Sequence, residues 1–379
     1  MTRDMTLGLQ AALKRPTIEA TPCRRPPRRF ALALALAAAA SVPARAVEVT
    51  DQRGASFIFE KPAERAVFLP MPAASTYIAI NRGERGVAGM NAASAAAMRD
   101  GVLGKLFPGY ARIATNITLG AGTAPNVESI LALRPDAVFA WAAAGDDALA
   151  SLERVGLKAL GMRYGSQEDM AGYIGMMGLV AGQEARAREL NERQGRELES
   201  MKAAFAGLDD ARRPRVLYLA RASDAYRASG RGSYNDFYIR LTGGANVAAG
   251  GPSSATVNIE QILAWNPQVV LLGNFDTVMP ADLYADPRWQ DVEAVRSRRV
   301  YRMPLGGYRW DPPSQESALT WIWLAGLLHP GGPAKDLRGA MRGWFDFLYG
   351  HALSDDEIDG VLFAKENRTS AGYERYLTR

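Results

Sequence analysis

The stretch PNVESILALRPDAVFAW, residues 125–141, returns later in the chain as VNIEQILAWNPQVVLLGN, residues 257–274. The two phrases lie 132 positions apart, counted from Asn126 to Asn258, and each reads as a short helix followed by a strand. In the first copy Asn126 occupies a helix N-cap position and Glu128 falls in the first turn. Ile130, Leu131 and Leu133 form the buried stripe, and Pro135 stops the helix. The run Asp136 to Trp141 is then an apolar strand. In the second copy Asn258, Glu260, Ile262, Leu263, Ala264 and Pro267 take the same places, ahead of a strand from Gln268 to Leu272. Two matching helix–strand units predict two similar α/β lobes.

Between the copies, residues 167–208 are rich in helix formers, with Gly182 as a candidate break. A helix from Gln183 to Phe205 has 23 residues and would run roughly 35 Å, long enough to tie two lobes together. The apolar patterns AERAVFLP (63–70) and RPRVLYLA (213–220) each open a lobe with a strand. The expected organisation is an N-terminal lobe over 47–166, a linking helix over 167–208 and a C-terminal lobe with a helical extension over 209–379. The fold class is α/β: two Rossmann-like lobes with mainly parallel sheets, joined by one long backbone helix, with a ligand cleft between them. DLRGAMRGWFDFLYG (336–350) and SDDEIDGVLFA (354–364) read as two short amphipathic helices packed on the second lobe, and ENRTSAGYERYLTR (366–379) as a mobile tail.

Residues 24–46, RRPPRRFALALALAAAASVPARA, have a basic cluster, an apolar run from Phe30 to Ala40 and an A-x-A arrangement at Ala44 and Ala46. That is the plan of a signal peptide over 1–46, cleaved after Ala46, with a run too short to span a bilayer. The Arg28-Arg29 pair also fits twin-arginine export. Without residues 1–46 the 45 basic and 40 acidic residues become 37 and 38, so the net charge of +5 belongs to the export signal. A nucleic-acid partner therefore has no electrostatic footing. The single cysteine, Cys23, lies upstream of the apolar run, so the exported chain is expected to be soluble, without thiol, disulfide or lipid anchor. The motifs H-E-x-x-H and G-x-S-x-G and a Walker loop do not occur, and GAGTAP (120–125) breaks the dinucleotide fingerprint, so neither catalysis nor a cofactor is expected.

In parallel sheets ligands gather at the carboxyl ends of the strands. The loops there are MPAAS (71–75), WAAAGD (141–146), RYGS (163–166), RASDAYRASGRGSYND (221–236), NFDT (274–277) and LGGYRWDPP (305–313). From them the candidate ligand contacts are Met71, Ser75, Trp141, Tyr164, Arg221, Tyr226, Arg227, Asn274, Tyr308, Arg309 and Trp310. Trp141 either stacks on a flat ligand or caps the core of its lobe. Arg163, Arg221, Arg227, Arg231 and Arg309, if convergent, suit carboxylates, phosphates or oxyanions. Tyr164, Tyr226, Tyr234 and Tyr308 could stack or, as phenolates, ligate ferric iron. The two histidines, His329 and His351, fall outside these loops, so an imidazole-rich site for free zinc or manganese is not expected.

The phrase N-x-E-x-I-L-A-x-x-P in both copies, GSYNDFYIRLTGGANVAAG (232–250) and PPSQESALTWIWLAGLLHP (312–330) occur in this order over residues 63–330. Together they resemble the periplasmic binding proteins of ABC importers, in the group that carries ferric siderophores, haem and cobalamin. The resemblance implies a periplasmic, monomeric receptor for a small-molecule metal complex: a ferric siderophore first, haem or a corrinoid next, with an oxyanion such as molybdate as competitor. It also implies a membrane permease as partner, docked by one glutamate per lobe, Glu128 and Glu260 here. The same glutamates could instead complement their own helix dipoles, each worth about 0.3–1 kcal/mol. An interaction protein of the same fold with an unused cleft is a further alternative.

Overall fold

In the computed structural model the described residues are 46–378, apart from 121, 123, 143–146 and 333–335. The expected signal peptide lies outside them up to Arg45. The described chain opens with an antiparallel hairpin of β1 (Val47–Thr50) and β2 (Ser56–Phe59). The first lobe is built on β3 (Ala66–Phe68), β4 (Val87–Met90), β5 (Ala137–Trp141) and β6 (Ala159–Met162). These four pair in parallel in the order β4-β3-β5-β6. β3 and all but the last residue of β5 are buried on both faces, as parallel strands covered on two sides require. Helix α1 (Ala73–Asn81) joins β3 to β4, and α2 (Val127–Ala132) precedes β5.

Helix α3 (Gln167–Ala181) ends at Gly182, which takes the left-handed conformation at φ 64°, and α4 (Glu184–Phe205) restarts at once for 22 residues. The linking helix is thus present, starting one residue later than its pattern predicted. It turns Ala187, Leu190, Gln194, Met201 and Phe205 inward.

The second lobe is built on β7 (Arg215–Arg221), β8 (Tyr226–Ala228), β9 (Ala245–Asn246), β10 (Ala255–Val257), β11 (Val269–Leu272) and β12 (Val300–Arg302). β7 pairs in parallel with β11 and β9, and β11 with β12, whereas β8 runs antiparallel to β7 and β10 to β8. The sheet is mixed for a simple reason. Residues 222–225 between β7 and β8 are too few for a crossover, which takes a dozen or more residues, so the chain must return antiparallel. Helix α5 (Tyr234–Leu241) follows β8, and α6 (Ile259–Trp265) precedes β11.

The repeated phrase repeats its backbone. Asn126 Oδ1 accepts from Ser129 N at 3.3 Å and Asn258 Oδ1 from Gln261 N at 2.9 Å. The residue before each proline is left-handed, Arg134 at φ 46° and Asn266 at φ 41°. The buried stripe is narrower than expected: Ile130 and Ile262 are buried, but Leu131 is 39% and Leu263 36% exposed. A helix of six or seven residues makes under two turns, so one knob meets the sheet and the next residue, 100° round, faces away.

Helix α7 (Ser317–Leu328) is buried at every residue, and α8 (Leu337–Tyr349) and α9 (Asp355–Val361) follow. The extension does not sit on the second lobe alone. α8 packs on α7 and also on α1 of the first lobe, and Arg82 and Arg186 both donate to Phe347 O. Nor is the tail loose. Tyr373 donates to Leu362 O at 2.6 Å and Tyr376 to Trp323 O at 2.8 Å, and both rings are buried. Two aromatic rings bury enough area to hold a short segment that has little helical or strand patterning.

One hydrophobic cluster runs from Phe68 and Phe139 through Met177 and Leu190 to Tyr218, Tyr301 and Trp321, so the lobes share a core along the linking helix. Separate outer clusters sit around Ile130 and Ile262. No helix among the described residues is long and apolar enough to cross a membrane.

Candidate functional site

The carboxyl ends of β5, β6, β7 and β11 face a cleft of about 790 Å³. The first lobe contributes Met71 and Pro72 after β3, Trp141 and Ala142 at the end of β5, and Met162, Arg163 and Tyr164 at the end of β6. Trp141 pairs with Met162 across the sheet, which brings the two following loops together. Trp141 and Tyr164 meet edge to face, with centroids 5.4 Å apart and planes at 73°. Tyr164 is 51% exposed at the cleft mouth. The second lobe contributes Tyr218 and Ala220 of β7, Ser229, Ser233 and Asn235 around the start of α5, Ser253 and Ser254, Phe275 after β11, and Tyr308, Asp311 and Pro312.

Asp311 and Tyr308 belong to the cleft floor. Asp311 Oδ2 accepts from Tyr218 Oη at 2.9 Å and from Asn274 N at 3.0 Å, while Oδ1 has no partner among the described residues. Gly273 makes this pairing possible. A Cβ there would lie 2.5 Å from Tyr218 Oη and 2.9 Å from Asp311 Oδ2. Asn274 donates through Nδ2 to the carbonyls of Met303 at 3.1 Å and Pro304 at 2.9 Å, which leaves its buried Oδ1 unpartnered. The Tyr308 hydroxyl is also buried without a partner. Burial pushes the Tyr218 and Tyr308 phenols well above their ordinary value, so both stay protonated at neutral pH.

The floor is carried by the segment 304–316, which also makes the joint between the lobes. Arg309 donates to Asn274 O and to Ala93 O of the first lobe, each at 3.1 Å, and Val102 N donates to Gly306 O at 3.0 Å. Gln315 Oε1 accepts from Thr76 Oγ1 at 3.0 Å and from Ser75 Oγ at 3.5 Å, and its Nε2 donates to Tyr349 Oη at 2.7 Å. Beside it the buried carboxyl of Glu316 accepts from Trp310 Nε1 at 2.7 Å, from Gly307 N at 2.9 Å and from Tyr349 Oη. Burial raises this carboxyl to about 7, against the downward pull of those donors.

Of the contacts expected from the sequence, Met71, Trp141, Tyr164 and Tyr308 line the cleft. Asn274, Arg309 and Trp310 brace its floor, and Ser75 lies behind it in the joint. Arg221, Tyr226 and Arg227 lie off the cleft lining: Arg221 and Arg227 pair across β7 and β8 with exposed side chains, and Tyr226 accepts from Trp289 Nε1 at 3.1 Å in the outer cluster. The five arginines do not converge. Arg163 alone of them lines the cleft, and Arg231 is exposed, donating to Ala249 O. Tyr234 is fully buried and donates to Gln167 Oε1 at 3.0 Å. His329 contacts Gly243 O at 3.2 Å and His351 contacts Glu357 at 3.0 Å, both outside the cleft lining. No group of three or more His, Cys, Asp or Glu among the described residues could hold a metal. Glu128 and Glu260 are exposed in the first turns of α2 and α6.

Six of the lining residues missed from the sequence are short and polar: Ser229, Ser233, Asn235, Ser253, Ser254 and Asp311. All but the Ser253-Ser254 pair fall in the loops flagged by strand position, where long arginines and tyrosines drew attention first. Tyr218 sits inside a strand, and no sequence signal separates it from core.

The periplasmic binding protein family matches residues 89–305, more than half of the chain. A solved periplasmic solute binding protein from Veillonella parvula is 26% identical, with a TM-score of 0.77, over 86% of this chain and 99% of that one. The molybdate-binding protein MolA of Haemophilus influenzae is 28% identical over 227 residues, 54% of this chain and 64% of its own length. The match thus spans less than two thirds of that relative. The high-affinity heme uptake system protein IsdE of Staphylococcus aureus is 23% identical over 200 residues, 50% of this chain and 67% of its own.

Proposed function

Since the chain belongs to the periplasmic binding protein family and is a ligand receptor rather than an enzyme, we propose that it binds a chelated metal in the cleft between its lobes. The cargo is a ferric siderophore first, with haem or a corrinoid next. The protein works in the periplasm and hands its cargo to an inner-membrane ABC permease that docks on Glu128 and Glu260.

The observation that supports this reading best is the size and lining of the cleft. About 790 Å³ walled in part by Trp141, Tyr164, Phe275 and Tyr308 falls within the roughly 300–1,000 Å³ of sites for organic ligands, whose walls are largely apolar and aromatic. A metal bound there would bring its ligands with it, because the protein offers no cluster of metal-ligating side chains among the described residues. The docking assignment rests on two exposed first-turn carboxylates at matched places in a repeated unit. A second reading, a molybdate-type oxyanion receptor, is favoured by the likeness to MolA.

The test is a thermal-shift panel on purified protein: ferric hydroxamate and catecholate siderophores, haemin, cobalamin, molybdate, zinc and manganese. A ligand at about 100 times its Kd adds roughly 2.7 kcal/mol of stability. A shift with one chelate supports the first reading, and a shift with molybdate alone supports the second. A cooperative melt unmoved by the whole panel removes both.

A further inference from the structure

Resting on the reading that this cleft is the ligand site, we infer that the cargo presents a cationic nitrogen, an ammonium or guanidinium group, to the Asp311–Tyr308 floor. The argument begins with hydrogen-bond capacity. Asp311 is 1% exposed and lines the cleft, and the two donors that the fold gives it, Tyr218 Oη and Asn274 N, both go to Oδ2. Oδ1 accepts nothing from any described residue. No Arg or Lys nitrogen among the described residues lies within ion-pairing distance of it, although two guanidinium groups flank the floor.

Neither of those two guanidinium groups bonds to Oδ1. Arg309 donates to the carbonyls of Asn274 and Ala93. Arg302 donates through Nη1 and Nη2 to the carbonyls of Gly273, Asp276 and Val278 and pairs with the Asp276 carboxylate at 3.8 Å, while its buried Nε has no partner among the described residues. Asn274 Oδ1 adds a second acceptor without a donor, since both bonds of its amide nitrogen go to backbone oxygens. The cleft lining therefore holds one acceptor oxygen with nothing to accept, Asp311 Oδ1, and one phenol, Tyr308, that can act either way, while Asn274 stands outside the lining. Leaving a buried acceptor unmet is unfavourable, more so when it is charged. A ligand bearing N–H groups and positive charge removes that cost, whereas an oxyanion would set like charge against the carboxylate.

The rest of the cleft points the same way. Among its described lining residues Arg163 is the one cation, against the two acids Asp169 and Asp311. The aromatic face of Trp141 also attracts a cation, as the Phe275 face already does with the Arg309 guanidinium 5.0 Å from its centroid.

The experiment titrates the purified protein calorimetrically with one ferric chelate in two forms. One is a linear ferric trihydroxamate ending in a primary ammonium, and the other is the same complex with that amine acetylated. The expected result is at least tenfold tighter binding of the ammonium form, about 1.4 kcal/mol. In Asp311→Asn the ratio falls to within twofold, because the amide keeps an oxygen for Tyr218 and Asn274 N and places N–H where Oδ1 was. A residue with only a structural role would weaken both forms equally and leave the ratio unchanged, which would overturn the inference. So would equal binding of the two forms, or preference for the acetylated one, by the unmodified protein; the cleft reading would then survive. If Asp311→Asn does not fold, the ratio on the unmodified protein decides alone. Binding of neither form by a cooperatively melting protein overturns the inference and removes trihydroxamates from the cargo, and tight molybdate binding run in parallel would overturn the chelate reading as well.

Discussion

The two lobes are alike on the outside and unlike where they face each other. On the outside, α2 and α6 repeat the same cap, the same exposed first-turn glutamate and the same left-handed residue before proline. On the inside, the first lobe offers mainly apolar surface, from Met71, Pro72, Trp141, Met162 and Tyr164, with Arg163 as its charged lining side chain. The second offers serine hydroxyls, Asn235, Asp311 and two neutral phenols. The first wall thus supplies area and shape, and the second supplies hydrogen-bonding direction. On the proposed reading, what a two-point attachment needs to be equal lies in the repeat, and what would discriminate among ligands lies in the parts that do not repeat: the β7–β8 return and the segment 304–316.

The largest effect should come from breaking the outer likeness. Glu128→Arg combined with Glu260→Arg is expected to abolish uptake of labelled cargo by cells while the Kd of the purified protein stays within a few-fold. If the two glutamates are equivalent handles, each single reversal should leave partial and similar uptake. If one reversal alone abolished uptake and the other did nothing, the lobes would not be equivalent in docking. If affinity fell in step with uptake, the glutamates would belong to ligand binding.

A smaller effect is expected at the joint. Burial holds the Glu316 carboxyl at about 7, above its ordinary 4.5. The folded protein therefore keeps a proton that the unfolded chain releases, and stability falls as pH rises from about 4.5 through 7. The size is on the order of 3 kcal/mol, fully present below the unfolded value and lost above the folded one. Glu316→Gln, neutral at every pH, should flatten that slope. Urea denaturation at pH 5 and pH 8 reads it directly, as a pH difference smaller in the variant than in the native protein by that amount. Identical slopes would mean that Glu316 is ionised throughout. Because this carboxyl braces Trp310 and Tyr349 beside the Gln315–Thr76 bond, the same titration acts on the contact between the lobes.

How far the sequence reveals the molecule follows the same division. The repeat, the linking helix and the loops after the strands are legible, because each rests on local chemistry: Asn126 and Asn258 cap, Gly182 breaks, Pro135 and Pro267 stop. The antiparallel turn of β8 is legible only in hindsight, from the shortness of residues 222–225. The floor is not legible. Asp311 matters because Tyr218, in a strand 93 positions away, reaches its carboxylate, and Gln315 matters because Thr76 lies 239 positions away. Pairings at such separations leave no periodicity in the sequence. The packing of Tyr373 and Tyr376 was hidden for the same reason, since their partners Leu362 and Trp323 are set by the fold.

The smallest effect tests the likeness at its finest grain. Asn126→Ala and Asn258→Ala each remove a cap of the kind worth about 1 kcal/mol, but the two bonds are not equal. Asn258 Oδ1 meets Gln261 N at 2.9 Å, near the optimum for an amide donor, while Asn126 Oδ1 meets Ser129 N at 3.3 Å. The first copy also has outside help, because Asn116 Nδ2 donates to Ser129 Oγ at 3.2 Å and holds the same turn. The second-lobe substitution should therefore cost more, close to the full value, and the first-lobe substitution about half of it, as read from urea midpoints at constant m-value. The reverse order would mean that the first helix depends on its cap despite the longer bond, and that Asn116 does not share the load. Equal losses would mean that the two caps work alike in solution and that the 0.4 Å between them carries no energy.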